Sequence, residues 1–143
     1  MHTVDLRVLT KLLSTNKKVS MKKQTSTNSI NESFLIQNCG VIYALSVIGG
    51  RWKVTILFTL LHGKMRYNEL LKAMPGISER MLVAQLRELE KHGLIQRIVH
   101  PEVPPRVEYE LTPLGRSAEP MLRSISTWGN TVREEAGVTD AAN

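Results

Sequence analysis

Residues Ser78 to His92 read SERMLVAQLRELEKH. This spacing predicts a single helix. Ser78 suits the N-cap, because its hydroxyl can accept a hydrogen bond from a first-turn amide that lacks a helical partner. Gly93 follows as a stop, since glycine adopts positive φ at low cost. At about 100° per residue, Ser78, Leu82, Gln85, Leu86 and Leu89 share one sector and should face a core. The opposite side carries Arg80, Ala84, Arg87 and Lys91, with Val83 beside them. Such a face fits a DNA major groove: arginine reads guanine edges, and small residues let the backbone approach. Glu79, Glu88 and Glu90 also fit an ordinary solvated face, so the neighbouring segments decide between the two.

Upstream, the apolar run Val41 to Ile48 predicts a short buried helix that is broken by Gly49 and Gly50. Arg51 to His62 predicts a second helix, with Trp52, Ile56, Leu57, Leu60 and Leu61 as its buried stripe. Lys64 to Tyr67 reads as a brief strand. Asn68 is then expected to cap a third helix, Glu69 to Met74. Pro75 and Gly76 make a tight turn into Ser78. Two helices joined by a glycine-containing turn, the second one cationic on its outer face, are a helix-turn-helix pattern.

Downstream, the period switches from helix to strand. Leu94 to His100 and Val107 to Leu111 predict two strands. In the second, Val107, Tyr109 and Leu111 alternate with Glu108 and Glu110. The connection Pro101 to Arg106, PEVPPR, makes a stiff hairpin tip, because proline fixes φ and donates no ladder hydrogen bond. The predicted fold is therefore mainly α with a small β-hairpin wing: a winged helix-turn-helix. Thr112 and Pro113 restart a helix as cap and first-turn residue. That helix should run from Leu114 to about Glu135 and bend or split at Pro120. Leu114, Met121, Leu122, Ile125 and Trp128 give it an apolar face larger than so small a core can cover, which predicts a dimer arm.

The 143 residues suit one domain plus a tail, and a 42% apolar content can build a core. The net charge of +6 invites a polyanion such as double-stranded DNA. Much of that charge sits in residues 1–33, where six cations face only Asp5 and Glu32. This polar segment reads as a disordered basic tail, although Val4 to Leu13 could form a short amphipathic helix. The domain should span residues 34–137, followed by a tail over 138–143. No apolar run reaches the ~20 residues that span a bilayer. Arg7 and Lys11 interrupt the N-terminal apolar cluster, so no signal peptide is expected. A lone cysteine, Cys39, excludes an internal disulfide and fits a reducing cytoplasm.

The words GGRWK from Gly49, PGIS from Pro75, LRELEKHGL from Leu86 and PEVPPRVEYELT from Pro101 occur in that order and spacing. With them, Cys39 to Gly129 resembles the HxlR family of bacterial winged-helix regulators, relatives of the MarR group. The resemblance implies a homodimeric transcription factor bound to an inverted-repeat promoter site. It implies a dimer built from the first and last helices, here Val41 to Ile48 (with Val41, Ile42 and Leu45) and Leu114 to Glu135. Several family members sense oxidants or electrophiles with a cysteine just before the first helix, the position of Cys39 in NCGVIYAL. The thiolate is the nucleophile in such chemistry, and a helix N-terminus favours it. Proline usually follows that cysteine in the family, whereas Gly40 does so here.

Catalysis finds no support. His2, His62, His92 and His100 form no pair at metal-ligand spacing, one cysteine cannot complete a zinc site, and no phosphate loop or nucleophile elbow is present. No metal or cofactor is expected. The predicted DNA contacts are Ser78, Arg80, Val83, Ala84, Arg87 and Lys91 on the helix, Arg106 on the wing, and Arg51 and Lys64 as weaker phosphate contacts. Two alternatives stand beside this reading: the same regulator controlled by a small apolar ligand with Cys39 passive, and a winged helix that binds protein.

Overall fold

The computed structural model describes residues Thr27 to Val138. Two compact units divide the chain, one ending at Leu35 and the other beginning at Ile36. The first described helix, α1 (Thr27–Asn38), begins seven residues before the domain start expected at Phe34. The possible helix Val4 to Leu13 and the last five residues lie outside the described range.

The second unit continues with α2 (Gly40–Ile48), α3 (Arg51–Leu60), β1 (Met65–Arg66), α4 (Tyr67–Ala73) and α5 (Glu79–Lys91). It closes with β2 (Ile95–His100), β3 (Arg106–Leu111), α6 (Pro113–Ser117) and α7 (Glu119–Glu135). The sheet is antiparallel, in the order β1-β3-β2. Met65 pairs with Tyr109 on one side of β3, and Ile95 with Leu111 on the other. The last rung of the β2–β3 ladder joins His100 to Arg106 and leaves residues 101–105 as the wing.

The core forms where the apolar faces of these elements meet. Ile56, Leu57 and Leu60 of α3 join Leu70 of α4, Leu82, Leu86 and Leu89 of α5, Ile95 and Leu111 of the sheet, and Leu122 of α7. The stripe of α5 is therefore as expected. Gln85 sits only half-buried at its edge, and Ser78 is exposed at the cap. The turn before α5 needs its glycine, because Gly76 has φ +88, and Gly93 ends the helix at φ +68.

Five local expectations change. The α2 helix is not buried within the chain: Val41 is 68% exposed and only Ile48 joins the core. Trp52 is half-buried at the core margin, with the Arg51 guanidinium 4.8 Å from its ring centroid. The third helix starts at Tyr67, so Asn68 lies within it. Its first turn is closed instead by Glu69, whose carboxylate accepts the Arg66 backbone N–H at 2.7 Å, the acidic half of a capping-box arrangement. Leu122, placed on the free apolar face by the sequence, is 1% exposed and belongs to the core, because α7 packs against α3. Glu108 is not solvated, as alternation implied, but 8% exposed against Lys64, Arg106 and the His100 imidazole. The last helix does split, at Ala118, with Pro120 in the first turn of α7, where no backbone N–H is needed.

Candidate nucleic-acid interface

Helix α5 is held from both ends. The Ser78 hydroxyl accepts the Met81 N–H at 3.1 Å, and the Leu94 N–H returns to the Leu89 carbonyl at 3.0 Å. Leu82, Leu86 and Leu89 anchor its inner face. The outer face is then fixed by geometry: Arg80, Ala84, Arg87 and Lys91 are exposed, and Val83 is half-buried. The ion pairs among the described residues engage Lys64, His100, Arg106 and Arg123, and none engages Arg80, Arg87 or Lys91. Unpaired guanidinium groups on a rigid helix keep their donors for a ligand, and their planar fork suits guanine edges or phosphate.

A residue that the sequence reading missed joins this face. Arg97 of β2 stands opposite Tyr109 in the ladder. With Arg87, Val83, Leu86, Glu90 and Tyr109 it lines a groove between α5 and the sheet. The strand pattern of Leu94 to His100 placed Arg97 on a face, but only the packing of α5 against β2 puts it beside Arg87.

The other expected contacts divide. Lys64 is half-exposed and lies 3.8 Å from Glu108. Arg51 opens α3 and stacks within its own helix on Trp52. Arg106 is not free on the wing: its guanidinium meets Glu102 at 3.0 Å and Glu108 at 3.4 Å, and it is only partly exposed. The wing tip itself is apolar. Val103 is fully exposed beside Pro104 and Pro105.

On α2 and α7, Val41, Tyr43, Leu45, Ile125, Trp128 and Val132 are exposed apolar side chains, with Met121 at the margin and Leu114 exposed on α6. Ile42 is half-buried. Cys39 is the N-cap residue of α2 and is half-buried. Its carbonyl accepts the Tyr43 N–H at 2.9 Å, and it lines a hollow with Ile36, Gln37, Asn38, Gly40 and Tyr43. Among the described residues no group of His, Cys, Asp and Glu could hold a metal ion, and no single helix is long and apolar enough to cross a membrane.

A three-stranded sheet with a hairpin wing, beside a helix-turn-helix whose second helix presents unpaired cations, defines a winged helix-turn-helix DNA-binding domain. The chain belongs to the HxlR-like helix-turn-helix family, whose profile matches residues 47–136. It is 53% identical over 92 residues to the uncharacterized HTH-type transcriptional regulator YtcD of Bacillus subtilis, covering 64% of this chain and 73% of that protein. The reduced form of the redox regulator HypR superposes with a TM-score of 0.65 at 42% identity, over 69% of this chain and 98% of HypR. Diamide-treated YodB from B. subtilis superposes at 0.56 and 33% identity, over 65% of this chain and 93% of YodB. The protein is a transcriptional regulator, not an enzyme, as are the family and these relatives.

Proposed function

We propose that this regulator acts as a homodimer on an inverted-repeat promoter site, in the cytoplasm, with one α5 in the major groove of each half-site. The observation that carries the reading is the division of α5: its leucines lock it to the core while Arg80, Arg87 and Lys91 stay exposed and unpaired. Arg80 and Arg87 contact bases or adjacent phosphates. Ser78 and Lys91 hold the backbone, and Val83 and Ala84 let the helix approach. Arg97 adds a phosphate contact beside Arg87. The uncovered apolar faces of α2 and α7 supply the two-fold interface, since two half-sites need two reading heads at fixed spacing.

Cys39 supplies the signal in this reading. It sits at the start of the helix whose apolar face would meet the partner subunit, and two structural relatives are named for redox regulation or were treated with a thiol oxidant. Oxidation by a peroxide, quinone or disulfide takes two electrons from thiol. Two Cys39 thiols give an intersubunit disulfide, and one Cys39 thiol with a small thiol gives a mixed disulfide, each releasing two protons and passing two electrons to the oxidant; one thiol and a peroxide give a sulfenic acid as the O–O bond breaks and water or an alcohol leaves.

Fluorescence anisotropy on the gene's own upstream DNA tests both parts, at one fixed salt concentration because affinity depends steeply on salt. Tight binding by reduced protein that a thiol oxidant alters, with the effect lost in Cys39→Ser, supports the whole reading. Tight binding indifferent to oxidant removes the thiol signal and favours a small apolar ligand. Binding no tighter than to random DNA sinks the operator assignment and favours a protein partner.

A further inference from the structure

Glu108 is the one buried charged residue among the described residues, and its surroundings come from three separate segments. One carboxylate oxygen lies 2.7 Å from His100 Nε2 at the end of β2 and 3.8 Å from Lys64 Nζ in the turn before β1. The other lies 3.4 Å from Arg106 Nη1 at the start of β3. Arg106 turns its second amino group to Glu102 of the wing at 3.0 Å, while its Nε is buried without a partner. His100 and Arg106 are the last paired residues before the wing. Glu108 therefore grips both strands of the wing at their base, from the central strand of the sheet, and Lys64 ties the same carboxylate to the body of the domain.

A buried carboxylate is costly unless it is hydrogen-bonded and paired, and a negative charge on a DNA-binding module opposes its ligand. Its placement needs a compensating role. The wing loop carries no cation of its own between Pro101 and Pro105, and Arg106 is already engaged by two carboxylates. What the wing offers to DNA is Val103, fully exposed before Pro104 and Pro105, a contact that depends on position and not on charge.

We propose that Glu108 is a positioning residue that fixes the wing relative to α5, with Arg106 as its strut, so that the apolar tip at Val103 meets the minor groove or sugar edge flanking each half-site. The proposal rests on the DNA reading given above.

Two footprints on operator DNA separate the parts: dimethyl sulfate protection of guanine N7 reports α5 in the major groove, and hydroxyl-radical protection reports the wing on the flank. In Glu108→Gln the proposal expects guanine protection to persist while flank protection is lost, with affinity about tenfold weaker, within the range for breaking one member of a coupled network. Coulomb attraction alone predicts the opposite sign, because the variant removes an anion from a protein that binds a polyanion. Tighter or unchanged binding with a steeper salt dependence and intact flank protection would overturn the proposal. Should Glu108→Gln fail to fold, Glu102→Gln loosens the same strut from its exposed end. Selective loss of flank protection in that variant supports the proposal, and unchanged protection overturns it. Wild-type protein that protects neither region fails the DNA reading itself and takes the proposal with it.

Discussion

The Thr112 hydroxyl lies 2.5 Å from the Gly93 carbonyl oxygen, 19 residues away in sequence. The Thr112 hydroxyl oxygen in turn accepts the Gly115 N–H at 3.0 Å, and the Thr112 backbone N–H reaches the Leu94 carbonyl at 3.1 Å. One side chain thus ties the end of α5 to the start of the C-terminal helices. Movement of α7 and α6 has a direct mechanical route to α5. We expect Thr112→Val to lower stability by about 1 kcal/mol through the lost cap, read as a drop in melting temperature. Thr112→Ser should restore most of it.

Gly115 sits in the same junction for a steric reason. A Cβ added there would lie 1.9 Å from the Leu94 carbonyl oxygen, which is backbone and cannot swing away. Gly115→Ala should therefore destabilise the fold by about 1–3 kcal/mol or more, measured by urea unfolding. An unchanged midpoint would mean that the α6–β2 junction is looser than this contact requires.

Leu122 and Ile125 lie one turn apart on α7 and should behave differently. Leu122→Ala opens a cavity in the core and should cost about 2–5 kcal/mol of stability. Ile125 is 44% exposed and lies outside the buried cluster. Ile125→Glu should leave the fold intact and shift the protein from dimer to monomer in sedimentation equilibrium. A dimer that survives Ile125→Glu and Trp128→Glu together would remove α7 from the interface.

On the reading face, Arg87→Ala should weaken operator binding by about 1–3 kcal/mol and relax the base preference at one position in each half-site. Arg97→Ala should instead weaken binding to all sequences alike and reduce the salt slope by about 1, as a phosphate contact does. Anisotropy titrations over a salt series and a set of single-base operator variants distinguish the two.

The hydrogen bond from His100, with Arg106 and Lys64 nearby, holds the Glu108 carboxyl below its ordinary value of 4.5 against the opposing effect of burial. A carboxyl depressed in the folded state stabilises the fold above its unfolded value. That contribution is lost as pH falls below about 4.5 and through the lower folded value. Glu108→Gln should therefore flatten the acid limb of the stability–pH curve while changing its shape little above neutrality. Identical acid limbs for the two proteins would show that Glu108 is not held in this network.

The sequence by itself determined what local chemistry can specify. Ser78, Gly76 and Gly93 bound α5, because caps and positive-φ turns act over a few residues. The leucines of α5 and the three prolines between Pro101 and Pro105 set one core-facing stripe and one stiff wing, and the ordered words around them led to the family. Arg80, Arg87 and Lys91 were legible as an outer face for the same reason: a helix fixes the angle between its own residues. Only the tertiary structure decided which exposed-looking groups are spent within the protein. Alternation put Glu108 in solvent, and the hairpin tip put Arg106 at the edge of the wing, yet Lys64, His100 and Glu102 close around them. Periodicity gave Leu122 and Ile125 one apolar face, and the crossing of α7 over α3 buried the first and left the second. Arg97 became part of the reading face only when β2 packed beside α5. Burial and charge pairing depend on partners distant in the chain, and no local pattern encodes who those partners are.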